Sequence, residues 1–275
     1  NWYAFVAPGK TPVPLLERAI SHALTTAHFN VYYGEGRDSY DTPGRVAHES
    51  LFNVADKRYR APSTQQGYSP FSTWTRGLAW ALLGYAEQLE YVSTLDEKEF
   101  LIFGGKAPVL AAFEKAARAT AQFFIKHSSL DGVPLWDTGA PNAHKLGDYT
   151  QRAADPYNPY EPFDASAAAI AVQGFLRLSH YLRPTDAAAA TRYEQAGLVV
   201  MRTLLKTPFL SEDPAHEGLL LHSVYHRPNG WDHVPQGQKI MCGESSQWGD
   251  YHLRELALLI QRMAVDGPYL TFFLR

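Results

Sequence analysis

The chain has 275 residues, 45% of them hydrophobic and 19% charged, long enough for one large core or two small ones. That balance excludes a disordered chain, and the formal net charge of −3 gives no electrostatic case for nucleic acid or an anionic membrane as a partner. No run approaches the ~20 apolar residues of a membrane span, and a lone cysteine, Cys242, excludes an intrachain disulfide.

Helical patterning dominates from the start. Pro12 and Pro14 precede Leu15–Phe29, where Leu16, Ile20 and Leu24 recur at helical spacing. Trp74–Tyr91, Ala107–His127, Ala165–Tyr181, Asp186–Leu205 and Ser246–Met263 follow as further helices. Pro184 separates two of them, and Thr185 is the expected N-cap of the second. No run alternates as a strand should, although Val31–Tyr33 and Leu219–Tyr225 fit short hairpin pieces.

Ala165–Gly174 is small and apolar on nearly every face, as suits a helix packed on all sides. By contrast, Ala107–His127 and Asp186–Leu205 carry charges on one face, as suits an outer layer. Buried helix followed by amphipathic helix predicts an all-α toroid of helical hairpins; a helical solenoid is the other arrangement the pattern admits. Long loops enter the inner helices at Ala61–Ser72, Asp131–Phe163 and His222–Gln247. All three are rich in Gly, Pro, Trp, Tyr, His and Asp, and loops of this length in a compact domain tend to carry function.

Aromatic residues are plentiful, with six Trp, sixteen Tyr and fourteen Phe. They serve large cores, and also the flat faces on which sugars stack. Arg76 and Trp80 lie four residues apart on one helix face. They fit a clamp for a carboxylate and a ring, or an arginine stacked on tryptophan with no ligand. Asp164 is placed to cap the helix after it. Asp137 reads as a loop anchor first and as a catalytic carboxylate second. His222, His226 and Cys242 raise a metal site, but neither CxxC nor HExxH spacing is present, and hydrogen-bonded loop histidines are the favoured reading. Asp250 reads as a helix-start residue. No phosphate loop, dinucleotide fingerprint or GxSxG elbow occurs.

Three stretches, in this order, resemble a known family: QGYSPFSTWTRGLAW, GVPLWDTGAP with FDASAAAIAVQGFLRL, and SSQWGDYHLRELALL. They are similar to the unsaturated glucuronyl hydrolases of glycoside hydrolase family 88 and the related unsaturated rhamnogalacturonyl hydrolases of family 105. The match runs from about Leu15 to Ile260. The resemblance implies an (α/α)6 barrel of twelve helices, here represented by its last seven or so. It also implies a reaction in which an Asp protonates the C4=C5 double bond of a terminal unsaturated uronate and water adds at C5. The hemiketal then opens and the sugar leaves, without metal or organic cofactor. The partner so implied is an oligosaccharide ending in an unsaturated uronate, with neither nucleic acid nor membrane.

Carried over by position, the resemblance places Arg76 and Trp80 at substrate-binding positions on an inner helix. Trp74 falls at the sugar subsite, and His48 and Gln66 near the uronate. The family's two essential aspartates lie upstream of the helix matched by Leu15–Phe29, and Asn1–Pro14 holds no Asp or Glu. We therefore expect residues 1–275 to be a single barrel domain whose amino-terminal part, with the catalytic aspartates, is missing; Asp137 is the weak alternative within the chain. Phe163 replaces the family's usual Arg beside the Asp, and His144–Tyr160 is a long insert. Two alternatives remain open: a non-catalytic carbohydrate-binding relative, and a two-carboxylate glycosidase using Asp137 with Asp250 or Glu244.

Overall fold

The computed structural model describes residues 4–5 and 11–273. Among them run six α-helices: α1 (Leu15–Phe29), α2 (Thr75–Ser93), α3 (Lys106–His127), α4 (Ala165–Leu182), α5 (Ala187–Leu204) and α6 (Gln247–Ala264). A seven-residue 3-10 helix, Glu97–Phe103, joins α2 to α3. Every expected helix is present, with ends moved by no more than one or two residues. One cap differs. Asp186, not Thr185, accepts the Ala189 N–H at 3.1 Å to start α5, because Thr185 lies one residue too early and closes the preceding turn instead.

The helices form two layers. α2, α4 and α6 make the inner row, α4 packing on both neighbours, while α3 backs α2 and α5 backs α4. α4 sits at the centre, and nearly every residue from Ala165 to Ser179 is buried. Its small side chains permit this. A Cβ built on Gly174 would stand 2.6 Å from Leu82 Cγ and 2.9 Å from the Leu83 backbone nitrogen. Gly174→Ala should therefore push α2 off α4 and lower stability by about 1–3 kcal/mol despite alanine's better helix propensity. Chemical denaturation measures this, and an unchanged midpoint would contradict so close an approach.

Outer helices present the complementary stripe. α3 buries Val109, Phe113, Ala116, Ala117, Thr120 and Phe124 and leaves its charges to solvent. Phe124, Phe175 and Tyr193 carry the packing through to α5. At the carboxy-terminal ends of the inner pair, Arg177 of α4 donates to Glu90 of α2 at 3.0 Å, both side chains being buried. Tyr269, from the segment after α6, also donates to Glu90.

Sheet is sparse. β1 (Ala4–Phe5) pairs antiparallel with β2 (Val13–Pro14). β3 (Glu49–Phe52) pairs antiparallel with β4 (Tyr59–Ser63), from Glu49↔Ser63 to Phe52↔Tyr59, with a register shift between Leu51 and Phe52. The second hairpin was not expected. It leans on α1 through Phe52 and Tyr59, whose rings lie 5.0 and 4.9 Å from Phe29. The two expected hairpin pieces are single bridges, Val31↔Val46 and Leu210↔Leu220.

Candidate functional site

The loops that enter α2, α4 and α6 are stitched together backbone to backbone. Thr75 N–H donates to Trp136 O (3.1 Å), and Thr138 N–H returns to Thr73 O (2.9 Å). Trp136 N–H reaches Pro162 O (3.1 Å), Asp164 N–H reaches Pro134 O (2.9 Å), and Ala165 N–H reaches His222 O (3.0 Å). Ser223 N–H completes the run on Glu244 O at 3.0 Å. These links satisfy the amides of chain that is otherwise irregular and bring segments far apart in sequence to one end of the inner row.

Arg76 stands at the centre, 4% exposed. Its Nη1 donates to Asp164 Oδ2 at 3.1 Å and to the Val224 carbonyl. Its Nη2 donates to Gln66 Oε1 (3.1 Å) and the Tyr225 carbonyl (2.8 Å). All four Nη hydrogens thus have protein acceptors. Burial lowers the Arg76 pKa, while the charge of Asp164 opposes that shift. The guanidinium lies between two indoles, 4.8 Å from Trp74 on one side and 4.8 Å from Trp248 on the other. The stacking anticipated for Arg76 therefore involves these two rings; Trp80, one turn on, points elsewhere.

The row continues both ways. His48 lies 4.6 Å from Trp74; beyond Trp248, the Tyr225 ring follows at 5.5 Å and Trp231 at 5.6 Å from Tyr225. His48, Gln66, Trp74 and Arg76 are thereby brought into one connected group. Trp80, 39% exposed, touches His252 at 4.9 Å and shares a groove of about 260 Å³ with His22, His48 and Gln88. His48 Nδ1 lies 3.2 Å from the Gln65 amide that donates to it. That leaves Nε2 with the proton in the neutral ring. Burial lowers the His48 pKa, so the ring is a neutral donor near pH 7. Tyr225, Trp231 and Trp248 were assigned no role from sequence. The signal for Tyr225 and Trp231 was the aromatic density of the loop His222–Gln247, and for Trp248 its place in the matched stretch SSQWGDYHLRELALL.

The carboxylates anticipated as alternatives are taken up by the frame. Asp137 is wholly buried and accepts from the amides of Tyr68 and Gly139, both at 2.8 Å. Burial raises its pKa against those hydrogen bonds. Asp250, in the first turn of α6, accepts from Leu219 N–H, Leu220 N–H and the Ser245 hydroxyl. Glu244 accepts from His233 N–H at 3.0 Å, and burial raises its pKa. Asp137 is thus the anchor that joins the loop before α2 to the loop before α4. Asp164 caps α4 through the amides of Ser166 (3.0 Å) and Ala167 (3.3 Å). No group of three or more His, Cys, Asp or Glu side chains among the described residues is arranged to hold a metal ion. His222 instead packs between Tyr157 and Phe209.

Comparison with protein-family models gives no match. Individual proteins do match. An unsaturated glucuronyl hydrolase of Formosa agariphila is 26% identical over 239 residues, covering 86% of this chain and 46% of that protein. An unsaturated chondroitin disaccharide hydrolase of Streptococcus agalactiae is 29% identical over 228 residues, 82% of this chain and 46% of that one. Among solved structures, the unsaturated glucuronyl hydrolase of Bacillus sp. GL1 superposes with a TM-score of 0.66 at 25% identity, covering 89% of this chain and 52% of its own. The chain therefore spans about half the length of the relatives it matches. Its two helical layers are those of their helical barrel, six α-helices and one 3-10 helix standing for the seven or so expected. In sequence and in fold, most of this chain is similar to the unsaturated glucuronyl hydrolases.

Proposed function

We propose that the chain is the carbohydrate-binding part of a hydrolase that removes terminal unsaturated uronyl residues from oligosaccharides by hydrating the C4=C5 bond. One observation carries the reading: a continuous row of rings and one guanidinium, from His48 through Trp74, Arg76 and Trp248 to Tyr225, crosses the end of the inner helices. Aromatic faces suit the apolar faces of pyranose rings. In this reading His48, Gln66, Trp74 and Trp80 contact the uronyl sugar. Arg76, paired with Asp164, holds the row in place. The proton donor is assigned to aspartates outside residues 1–275, as the relatives' greater length allows, since Asp137 and Asp250 are already bound by backbone amides.

Tryptophan fluorescence titrated with an unsaturated uronyl disaccharide tests the binding half, because indoles line the row. Saturable quenching is expected, and Trp80→Ala should weaken it about tenfold, the loss of roughly 1–1.5 kcal/mol of ring contact, with helical content unchanged. Binding that Trp80→Ala leaves intact would remove the groove from the site. Loss of the double-bond absorbance on incubation of the complete gene product tests the chemistry. Binding without that loss would identify a carbohydrate-binding relative instead.

A further inference from the structure

We propose that Asp164 is a positioning residue for the aromatic row, a role that rests on the carbohydrate reading above. Its carboxylate is wholly buried and grips three elements at once. Oδ1 accepts from the Ser166 amide (3.0 Å), the Ser166 hydroxyl (2.5 Å) and the Val224 amide (3.4 Å). Oδ2 takes Arg76 Nη1 at 3.1 Å, and that same nitrogen donates to the Val224 carbonyl. The ion pair therefore engages both polar groups of one residue, Val224, whose side chain is buried with Trp74, Trp136 and Ala140.

The next residue is Tyr225. Its carbonyl is held by Arg76 Nη2 at 2.8 Å, and its ring lies between Trp248 and Trp231. The Ser166 hydroxyl that donates to Asp164 also accepts from Trp248 Nε1 at 3.1 Å. Both exits from the carboxylate thus lead to rings of the row. Capping α4 does not require the charge, since asparagine caps a helix about as well as aspartate. What the charge adds is neutralisation of a buried guanidinium, which an amide cannot supply. With that pairing lost, Arg76 no longer has reason to stay between the indoles, and the Val224–Tyr225 backbone loses its two clasps.

The test compares Asp164→Asn with Asp186→Asn, which alters another N-cap that pairs with an arginine, Arg118, away from the row. Hydrogen exchange across residues 224–231 and fluorescence titration with an unsaturated uronyl disaccharide are both recorded. Asp164→Asn is expected to speed exchange in that segment about tenfold or more beyond any chain-wide change, with a comparable loss of affinity; Asp186→Asn should do neither. Exchange there that matches wild type, or rises only with the rest of the chain, overturns the proposal. Should Asp164→Asn fold poorly, the double variant Asp164→Asn with Arg76→Gln removes both charges. The proposal then requires fast exchange at 224–231 in a chain whose melting point has recovered, and wild-type protection there overturns it. If wild type itself binds no uronyl disaccharide, the carbohydrate reading falls, while the exchange measurement still decides the part played by Asp164.

Discussion

Replacing Arg76 by alanine is expected to destabilise the fold by about 3–5 kcal/mol, the loss that follows when a buried ion pair is broken from one side. Asp164 would remain wholly buried without its counter-charge, with three further acceptors, Gln66 Oε1 and the carbonyls of Val224 and Tyr225, stripped of their donor. Urea denaturation measures the loss, and a change below about 1 kcal/mol would mean that water replaces the guanidinium freely. The geometry also bears on sugar selectivity. Because every Nη hydrogen already has a protein acceptor, Arg76→Ala should weaken uronate-terminated and neutral sugars alike, by disordering the row. A much larger loss for the uronate would mean that Arg76 exchanges a protein acceptor for the ligand's carboxylate.

Acid should unfold the protein earlier than its carboxylates alone require. His222 is 3% exposed, and burial pushes its pKa down from the ordinary 6.5 to about 4. Its Nδ1 accepts from the Gly243 amide at 3.0 Å, so the ring is held neutral. The sign follows from linkage. A folded pKa below the unfolded one means that the unfolded chain binds the extra proton between the two values. The full contribution is present above pH 6.5 and is lost as pH falls toward 4, a loss of about 3 kcal/mol. His222→Asn suits the left-handed backbone at this position, where φ is 64°. It should flatten the melting curve against pH in that window, and an unchanged slope would place the acid sensitivity elsewhere.

Much of the scaffold was legible because it is encoded locally. The helical spacing of Leu16, Ile20 and Leu24 after Pro12 and Pro14 located α1, and ASAAAIAVQG identified a helix buried on every side. The hairpin Glu49–Phe52 with Tyr59–Ser63 escaped notice because ESLF and YRAPS do not alternate. Pro62 also argues against a strand, and the pairing is stabilised instead by rings stacked on Phe29. The site divides in the same way. Gln66, Trp74 and Arg76 lie in one matched stretch, QGYSPFSTWTRGLAW, and the same resemblance supplied His48 upstream of it. What holds Arg76 could not be found this way, since Val224 and Tyr225 lie 148 and 149 residues away and carry no local pattern. Their carbonyls act through backbone position, which side-chain identity does not report.

The ion pairs that join α2 to α4 at their two ends carry opposite charge order, Arg177 meeting Glu87 as well as Glu90. At one end Arg76 of α2 meets Asp164 at the start of α4; at the other, Glu90 of α2 meets Arg177 of α4. Were α4 laid down head to tail against its neighbour, Asp164 would face Glu90 and Arg177 would face Arg76, like against like in a low-dielectric interior. A slip of one helical turn, about 5.4 Å, would part Arg76 from Asp164, both buried, even where Arg177 still met Glu87 or Glu90. An apolar interface of alanine, leucine and glycine fits itself in many ways, so its small residues permit close approach without choosing a direction. The charges make that choice: they give the central helix a polarity, and thereby decide at which end of the inner row the loops before α2, α4 and α6 gather.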